Sequence, residues 1–540
     1  MIYLDYSATT KPSEEVLSSF YKASINYFGN ANSLHKLGTE SNRLIEASTM
    51  QIAELLKIKP SEIIYTSGAS ESNNTAIKGI AYKYKNRGKH IITTKFEHSS
   101  VNEALKFLKE YEGFTIDYIE TDSNGIVIFD SLKKLLTDDT ILVTISSVNS
   151  EIGIRQPVEE IGKILKEYPK CFFHVDMTQS IGKENINLDN IDLASFSGHK
   201  IYGLVGIGCL IKKEHVLLEP LISGGKSVTS FRSGTPQTAL IVSLAKAVRL
   251  ALTDIDNKKE KVSELNKYLK DKLKNYQDVF INSNDMCIPH ILNISVLKYK
   301  PETLQHSFEE YDIYISTKTA CSNKDQKSIS VYELTKDENK ALTSVRISLS
   351  HLTTKEELDE FINAFDKIYN KLWLFHIFVF FWHFSCFLFD ILFWVIKMKN
   401  KKLVFAIVAI SIGFILGVVV FNDYKDNMDD SIYNAYLVQI GTFKDDIEVN
   451  PEDYLVLEEN GRFNVYAGVT TKLSNASKIK DLYESENVES VIKPVVIDNV
   501  EFINNLKQYD LLLSEVDNKD NILSINDVII SQYEELILGK

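Results

Sequence analysis

Lys200, which follows a short apolar run, carries the most distinctive chemistry in this sequence. It ends the stretch Ser195-Phe196-Ser197-Gly198-His199-Lys200, in which small polar residues and a histidine precede the amine. A lysine amine can form a Schiff base with an aldehyde, while neighbouring polar groups hold an anion. Because a single Ser-Gly-His-Lys stretch is more often a solvated loop, its interpretation depends on the rest of the chain.

Polar residues also follow other apolar runs in the first 200 residues. Thr66 to Asn74 contains a glycine turn that opens a helix, and the free backbone N–H groups of such a turn suit a phosphate. The further residues of this kind are His98, Asn149, Asp176 and Gln179. A histidine can stack on a planar ring, and a carboxylate opposite a pyridine nitrogen keeps that nitrogen protonated. Each residue has an ordinary explanation, such as a helix cap, but together they predict one ligand site.

The elements that must position these residues alternate along the first 370 residues. The predicted strands are 62–66, 90–94, 141–145, 171–175 and 208–211, and the predicted helices between them are 72–85, 100–111, 158–168 and 235–252. Continuous apolar strands that alternate with helices predict an α/β fold with a mostly parallel sheet covered on both faces. Ligands usually bind at the carboxyl ends of such strands, where the polar residues lie. We expect a large domain over about 15–250 and a smaller α+β domain over about 251–371 plus the N-terminus.

Composition excludes several classes of protein. The formal net charge of -13 argues against a protein that binds nucleic acid directly. The five cysteines lie far apart without a CxxC pair, so the sequence indicates neither a zinc site nor a disulfide framework. The N-terminus lacks the basic and apolar regions of a signal peptide, and we therefore expect the first part of the chain to be cytoplasmic.

Ten motifs of this sequence occur together in one known family. They are Tyr3–Thr10, Gly29–Ser33, Thr66–Asn74, Glu97-His98, Val148–Gly153, His174–Asp176 with Gln179, Ser197–Lys200, Arg232–Thr235, Ala320–Ser322 and Arg346–Ser350. From Tyr3 to about Leu372 the chain resembles the cysteine desulfurases of the class V aminotransferase group. The resemblance implies a fold-type I scaffold with a seven-stranded type of sheet, pyridoxal 5'-phosphate as the cofactor, and a homodimer.

The resemblance also implies a role for each matching residue. Lys200 would hold the cofactor and move protons, and His98 would stack on the ring and act in acid–base steps. The cofactor phosphate would be bound by Ala69, Ser70, Ser197 and His199, and by Thr235 of the neighbouring subunit. Asp176 would face the pyridine nitrogen, with Asn149 and Gln179 on the side of the phenolic oxygen. Arg346 and Asn32 would bind the carboxylate of the substrate, L-cysteine.

Cys321 lies in the polar stretch Ser316 to Lys324, which predicts a mobile loop. A cysteine close to Lys318 and Lys324 can be partly thiolate and therefore nucleophilic. The resemblance implies that Cys321 takes the sulfur of L-cysteine as a persulfide, leaving L-alanine. An acceptor such as an iron–sulfur scaffold or the tRNA thiolation machinery would receive the sulfur. Another class V lyase or aminotransferase stays open as an alternative.

The chain changes character after Leu372. Residues 373–396 are mostly aromatic and apolar, and 403–421 carry no charge and are long enough to cross a bilayer. Lysines before this second run predict a membrane anchor over 398–424, with residues 425–540 outside the cytoplasm. Residues 434–497 resemble a SPOR domain, which implies peptidoglycan binding, although an unrelated small α+β domain is an alternative.

Two hypotheses concern how the halves of the chain relate. In the first, two coding units are joined, with Met398 as the start of a separate anchored protein and 373–396 as translated spacer. In the second, the chain is an envelope-binding protein whose function lies in the C-terminal domain.

Overall fold

The computed structural model describes two compact units, Met1–Lys371 and Leu372–Lys540. The described residues are 1–225, 227–297, 299–317, 327–370, 435–443, 455–459, 462–484, 490–495, 506 and 510.

The first unit contains twelve strands and twelve α-helices among its described residues. The strands are β1 Ile2–Tyr3, β2 Ile63–Thr66, β3 His90–Thr93, β4 Thr115–Tyr118, β5 Thr140–Ser146, β6 Phe172–Asp176, β7 Leu193–Ser197, β8 Gly208–Lys212, β9 Val279–Ile281, β10 Ile291–Val296, β11 Ile313–Tyr314 and β12 Ser344–Ser348. The helices are α1 Glu14–Asn26, α2 Lys36–Leu56, α3 Ala69–Tyr84, α4 Ser99–Tyr111, α5 Phe129–Leu135, α6 Val158–Leu165, α7 Thr238–Leu252, α8 Ile255–Leu273, α9 Pro301–Glu309, α10 Ile329–Thr335, α11 Glu338–Leu342 and α12 355–370.

Seven strands form the main sheet, in the order β2-β8-β7-β6-β5-β3-β4. The pairs from β7 to β4 are parallel, whereas β8 runs antiparallel to both β2 and β7. The predicted mostly parallel seven-stranded sheet is therefore confirmed. Because β3, β5, β6 and β7 run the same way, their carboxyl ends share one edge.

Two hydrophobic clusters pack against opposite faces of this sheet. Ile92 and Val143 belong to the cluster that includes Ile45 of α2, whereas the preceding residues Ile91 and Leu142 belong to the cluster that includes Ile77 of α3. Successive side chains of a strand point to opposite faces, so a strand with both faces covered must be apolar throughout. This double burial explains the continuous apolar runs of the sequence.

A smaller antiparallel sheet has the order β12-β10-β9 and carries Arg346 on β12. The N-terminal strand β1 pairs in parallel with β11, and Asp5 then bridges to Ser348. These two pairings bring the first residues of the chain beside β12, more than 300 residues later.

The second unit contains an antiparallel sheet of four strands in its described residues, with the order β14-β15-β13-β16. Its elements are β13 Ala435–Phe443, β14 Leu455–Glu459, β15 Arg462–Thr470, α13 Leu473–Glu484 and β16 Val491–Val495. The buried carboxylate of Asp510 accepts hydrogen bonds from the Thr471 amide at 2.7 Å and the Asn475 amide group at 3.0 Å. Asp510 therefore fixes the start of α13.

The predicted membrane span at 403–421 and the aromatic segment 373–396 lie outside the described residues. Among the helices of the described ranges, none combines the length and apolar character that crossing a membrane requires.

Phe361 tests how helix α12 packs against helix α9. Its ring is fully buried and stacks on Phe308 of α9, with ring centroids 4.7 Å apart. We expect Phe361→Ala to destabilise this part of the first unit by about 3–5 kcal/mol, because the truncation leaves a cavity between α12 and α9. Hydrogen exchange of peptides from α9 and β12 under increasing denaturant measures this loss. The control Leu352→Ala removes a side chain that is 55% exposed and should cost less than about 0.5 kcal/mol. Equal protection of the two variants would contradict the role of Phe361.

Candidate active site

Most of the residues singled out in the sequence line one cavity at the carboxyl edge of the main sheet. Asp176 at the end of β6 lies between Ser146 of β5 and Ser195 of β7 in the strand register. The cavity has a volume of about 340 Å³. The predicted residues that line it are Ala69, Ser70, His98, Asp176, Gln179, Ser197, His199, Lys200 and Arg346.

The start of α3 forms one end of the cavity. The helix begins at Ala69, three residues before the predicted start, so Ala69 and Ser70 lie in its first turn. A Cβ on Gly208 would come within 2.6 Å of the Gly68 Cα, so this close approach of β8 requires glycine. Desolvation and the charge of Lys200 lower the pKa of His199 to about 4, which keeps its ring neutral. Backbone N–H groups at a helix start and a neutral histidine suit an anionic group.

Lys200 lies in a short 3-10 turn, Gly198–Lys200, that follows β7. Its amine donates to the backbone oxygens of Ser7 and Ala8, each at 2.6 Å. The backbone N–H of Thr10 donates to the His199 oxygen at 2.9 Å. The N-terminal segment therefore wraps around this turn and fixes the direction of the amine.

Asp176 and His98 lie on neighbouring parts of the cavity wall. Asp176 is buried, and its carboxylate accepts from the Thr178 amide at 2.9 Å and from Asn73 Nδ2 at 2.8 Å. His98 caps α4, and its Nδ1 accepts the Ser100 backbone N–H at 3.1 Å. Desolvation is the main cause that lowers the pKa of His98, so the imidazole is neutral at pH 7. A neutral ring beside a carboxylate suits stacking on a planar ligand.

Gln179 links the cavity wall to a second lysine that the sequence analysis missed. Its Nε2 donates to the Ser7 oxygen at 3.0 Å, and its Oε1 accepts from Lys183 Nζ at 3.0 Å. Desolvation of the amine, followed by the charges of Lys200 and Arg346, lowers the pKa of Lys183 to about 7. Nothing in the local sequence distinguishes Lys183 from an exposed lysine.

Arg346 closes the cavity from β12. Its guanidinium is 2% exposed; Nη2 pairs with Asp5 at 2.7 Å, and Nη1 donates to the Ser150 oxygen at 2.9 Å. Its Nε is buried without a hydrogen-bond partner in the part of the chain that the structure describes. A fixed guanidinium of this kind suits a carboxylate ligand.

Three predicted residues are placed elsewhere. The side-chain amide of Asn149 donates to the Phe96 backbone oxygen and to Ser330 Oγ. Its side-chain oxygen accepts from the backbone N–H groups of Glu151 and Ile152. Asn149 therefore stabilises its own loop. Thr235 lines a separate, smaller cavity. The side chain of Asn32 hydrogen-bonds with Ser227 rather than lining the main cavity. Cys321 lies outside the described residues.

The comparison with known families and proteins decides the family of this chain. The model of the family "Aminotransferase class-V" matches residues 2–361. The chain belongs to the class-V aminotransferase family. A relative from Lactobacillus delbrueckii subsp. bulgaricus, named "NifS/IcsS protein homolog", is 43% identical over 380 residues, which cover 68% of this chain and 97% of the relative.

Two further matches agree with this family. "Cysteine desulfurase IscS" of Dictyoglomus turgidum is 37% identical over 376 residues, covering 69% of this chain and 95% of that protein. A solved structure titled "NIFS-LIKE PROTEIN" is 34% identical with a TM-score of 0.65, covering 68% of this chain and 99% of that chain. The first unit thus has the fold-type I scaffold of this pyridoxal-phosphate-dependent family.

The residues of the cavity fit pyridoxal 5'-phosphate. Its volume falls in the range of roughly 300–1,000 Å³ typical of small-molecule sites, and its wall offers an amine, a carboxylate and a helix start. Thr178, which the sequence analysis did not single out, also lines the cavity; its Oγ1 is buried without a partner among the described residues. A buried hydroxyl beside Asp176 is available to a polar ligand atom.

Lys183 gives a pH-dependent prediction. The unfolded chain binds a proton at Lys183 up to about pH 10.5, whereas the folded protein releases it near pH 7. The contribution of Lys183 to the free energy of unfolding therefore rises with pH between these values, because the unfolded state holds more protons at this residue there. We expect Lys183→Met to be more stable than the wild type below pH 7, with a difference that shrinks towards pH 10.5. Melting temperatures of the cofactor-stripped protein from pH 6 to 10 measure this. A difference that does not change with pH would contradict the shifted pKa.

Proposed function

We infer that the first unit is a pyridoxal-phosphate-dependent cysteine desulfurase, which converts L-cysteine to L-alanine and transfers the sulfur. The single observation that carries this function is the cavity in which Lys200, Asp176, His98 and Arg346 meet. The relative named cysteine desulfurase, which this chain covers over 95% of its length, supports the same activity.

Residues on each wall of the cavity contribute to this reaction. The cofactor, when bound, withdraws electrons from the α-carbon of the substrate amino acid. The start of α3 with Ser197 and His199 binds its phosphate, Asp176 faces its ring nitrogen, and Lys200 holds it and afterwards moves protons. Arg346 binds the substrate carboxylate, and its pairing with Asp5 sets the orientation of the guanidinium.

Cys321 is the proposed acceptor of the sulfur. Its thiolate attacks the substrate sulfur; the S–S bond forms as the Cβ–S bond breaks, and the electron pair stays on the carbon that becomes the alanine methyl group. Ser316 forms a bridge with Arg346, with hydrogen bonds of 3.1 and 2.7 Å. Cys321 follows Ser316 by five residues in the sequence, and five extended residues span at most about 18 Å, which supports this proposed role.

The persulfide on Cys321 must then pass to a thiol or sulfur acceptor. We propose a protein of the iron–sulfur scaffold type or of the tRNA thiolation machinery as that acceptor. We also propose a homodimer in which Thr235 contacts the phosphate of the neighbouring subunit's cofactor, because Thr235 lies in a different cavity from the other phosphate-binding residues.

Cys321→Ala tests the sulfur transfer. With L-cysteine, the variant should form no protein persulfide and should make alanine at least roughly 100-fold more slowly, because the nucleophile is gone. Reductant-sensitive thiol labelling and amino-acid analysis measure the two products. Cys287→Ala is the matched control, because Cys287 is partly buried and its burial raises the pKa of the thiol to about 11. If Cys321→Ala retained normal turnover, the alternative of a class V lyase or aminotransferase would replace the desulfurase.

For the second unit we propose a membrane-anchored, SPOR-like module that binds peptidoglycan outside the cytoplasm, while the desulfurase unit stays in the cytoplasm. The uncharged run 403–421 and the preceding lysines support the anchor. The four-stranded sheet with α13 supports a small α+β domain, the class to which the SPOR resemblance points.

The relation between the units is tested in cells with antibodies to each half. Under the hypothesis of two joined coding units, with 373–396 as spacer and Met398 as a start, the antibodies should detect two separate proteins, and only the C-terminal one should sediment with membranes. One membrane protein of 61.4 kDa that both antibodies recognise would contradict this hypothesis.

A further inference from the structure

Asn73 of α3 lies behind the cavity, fully buried, and joins two of its functional residues. One hydrogen of its amide goes to Asp176 Oδ2 at 2.8 Å, and the other goes to Ser100 Oγ at 2.9 Å. Ser100 in turn contacts His98 Nδ1 through its hydroxyl at 2.8 Å. The side chains of β6, α3 and α4 thus form one continuous hydrogen-bonded chain.

The direction of this chain follows from which groups can donate. The amide nitrogen of Asn73 can only donate, so the Ser100 hydroxyl accepts from it and turns its own hydrogen towards His98. The Ser100 backbone N–H also points at His98 Nδ1, at 3.1 Å. Two donors at Nδ1 place the proton of the neutral ring on Nε2. Asn73 and Ser100 therefore select the tautomer of His98.

We propose that Asn73 is a positioning residue that holds the Asp176 carboxylate and, through Ser100, the His98 ring in a single arrangement for cofactor binding and turnover. This proposal rests on the proposed function of the unit. With the ring fixed in this way, the neutral His98 presents its Nε2–H as a hydrogen-bond donor.

The unused atom of Asn73 supports a role beyond packing. Its Oδ1 is buried and has no hydrogen-bond partner among the described residues. An unsatisfied buried acceptor is destabilising, and a leucine of similar volume would avoid that loss. The unused oxygen therefore gives no reason for an asparagine here, whereas the two donors, to Asp176 and Ser100, account for it.

A double-mutant cycle with the full chain tests the proposal through the dissociation constant of pyridoxal 5'-phosphate. Asn73→Leu should weaken binding roughly 10-fold or more, because a hydrogen bond to a charged group is lost. In an Asp176→Asn background, Asn73→Leu should raise the dissociation constant less than about 3-fold, because Asn73 acts on the Asp176 carboxylate that this background lacks. An equal factor in both backgrounds, or an unchanged constant for Asn73→Leu, would overturn the proposal.

Two further variants separate positioning from folding. Asn42→Leu removes an amide from the surface of α2, where it donates to Glu46 Oε1 at 2.7 Å, and should leave the constant within about 3-fold. Asn73→Ser retains one hydrogen-bond donor and replaces Asn73→Leu if the leucine variant does not fold. In the same cycle, its loss of cofactor affinity should lie between those of the wild type and the leucine variant.

Ser100→Ala keeps the backbone donor at His98 but removes the hydroxyl link. It should leave cofactor affinity within about 3-fold and shift the pH profile of alanine formation, because the restraint on the His98 tautomer is weakened. An unchanged profile would overturn the His98 branch. Since the cofactor constant does not depend on turnover, a protein that binds the cofactor normally but makes no alanine would contradict the proposed function and leave the Asn73 cycle intact.

Discussion

The active site depends on four parallel strands whose carboxyl ends lie side by side. Hydrogen bonding between β5, β6 and β7 sets Ser146, Asp176 and Ser195 in one row. Apolar side chains on both faces of the sheet fix this row, because sliding one strand by a residue would exchange its two buried faces. The side chains that follow the strands are thereby held on a rigid edge.

The second constraint comes from the two ends of the unit. The backbone oxygen of Ser7 accepts from both Lys200 and Gln179, while Asp5 pairs with Arg346. Since β1 pairs with β11, the N-terminal segment connects the main sheet to the smaller sheet. Lys200, the proposed cofactor-binding lysine, and Arg346, the proposed substrate-binding arginine, are therefore oriented by neighbouring residues of one short segment.

The charges of the cavity are complementary to its proposed ligands. Lys200 and Arg346 contribute to lowering the pKa of both Lys183 and His98, although desolvation is the larger cause. These two cations in a desolvated site favour a ligand with a phosphate and a substrate with a carboxylate. Asp176, held by Asn73 and the Thr178 amide, supplies the local negative charge that a protonated ring nitrogen requires.

By itself the sequence determined the alternating α/β architecture and most of the residues at the carboxyl edge, including Lys200, Asp176 and His98. Apolar periodicity reports burial, and polar residues after buried strands have few other places to lie. The family resemblance added their chemical roles and the cofactor.

Tertiary structure alone decided which distant residues meet. It placed Arg346 beside Asp5, gave Asn149 a loop-fixing role, and showed that α3 begins at Ala69. It also brought in Asn73, Thr178 and Lys183. A single sequence records local periodicity, but it does not show the hydrogen bonds between distant elements that give Asn73 its role, or the burial that gives Thr178 and Lys183 theirs.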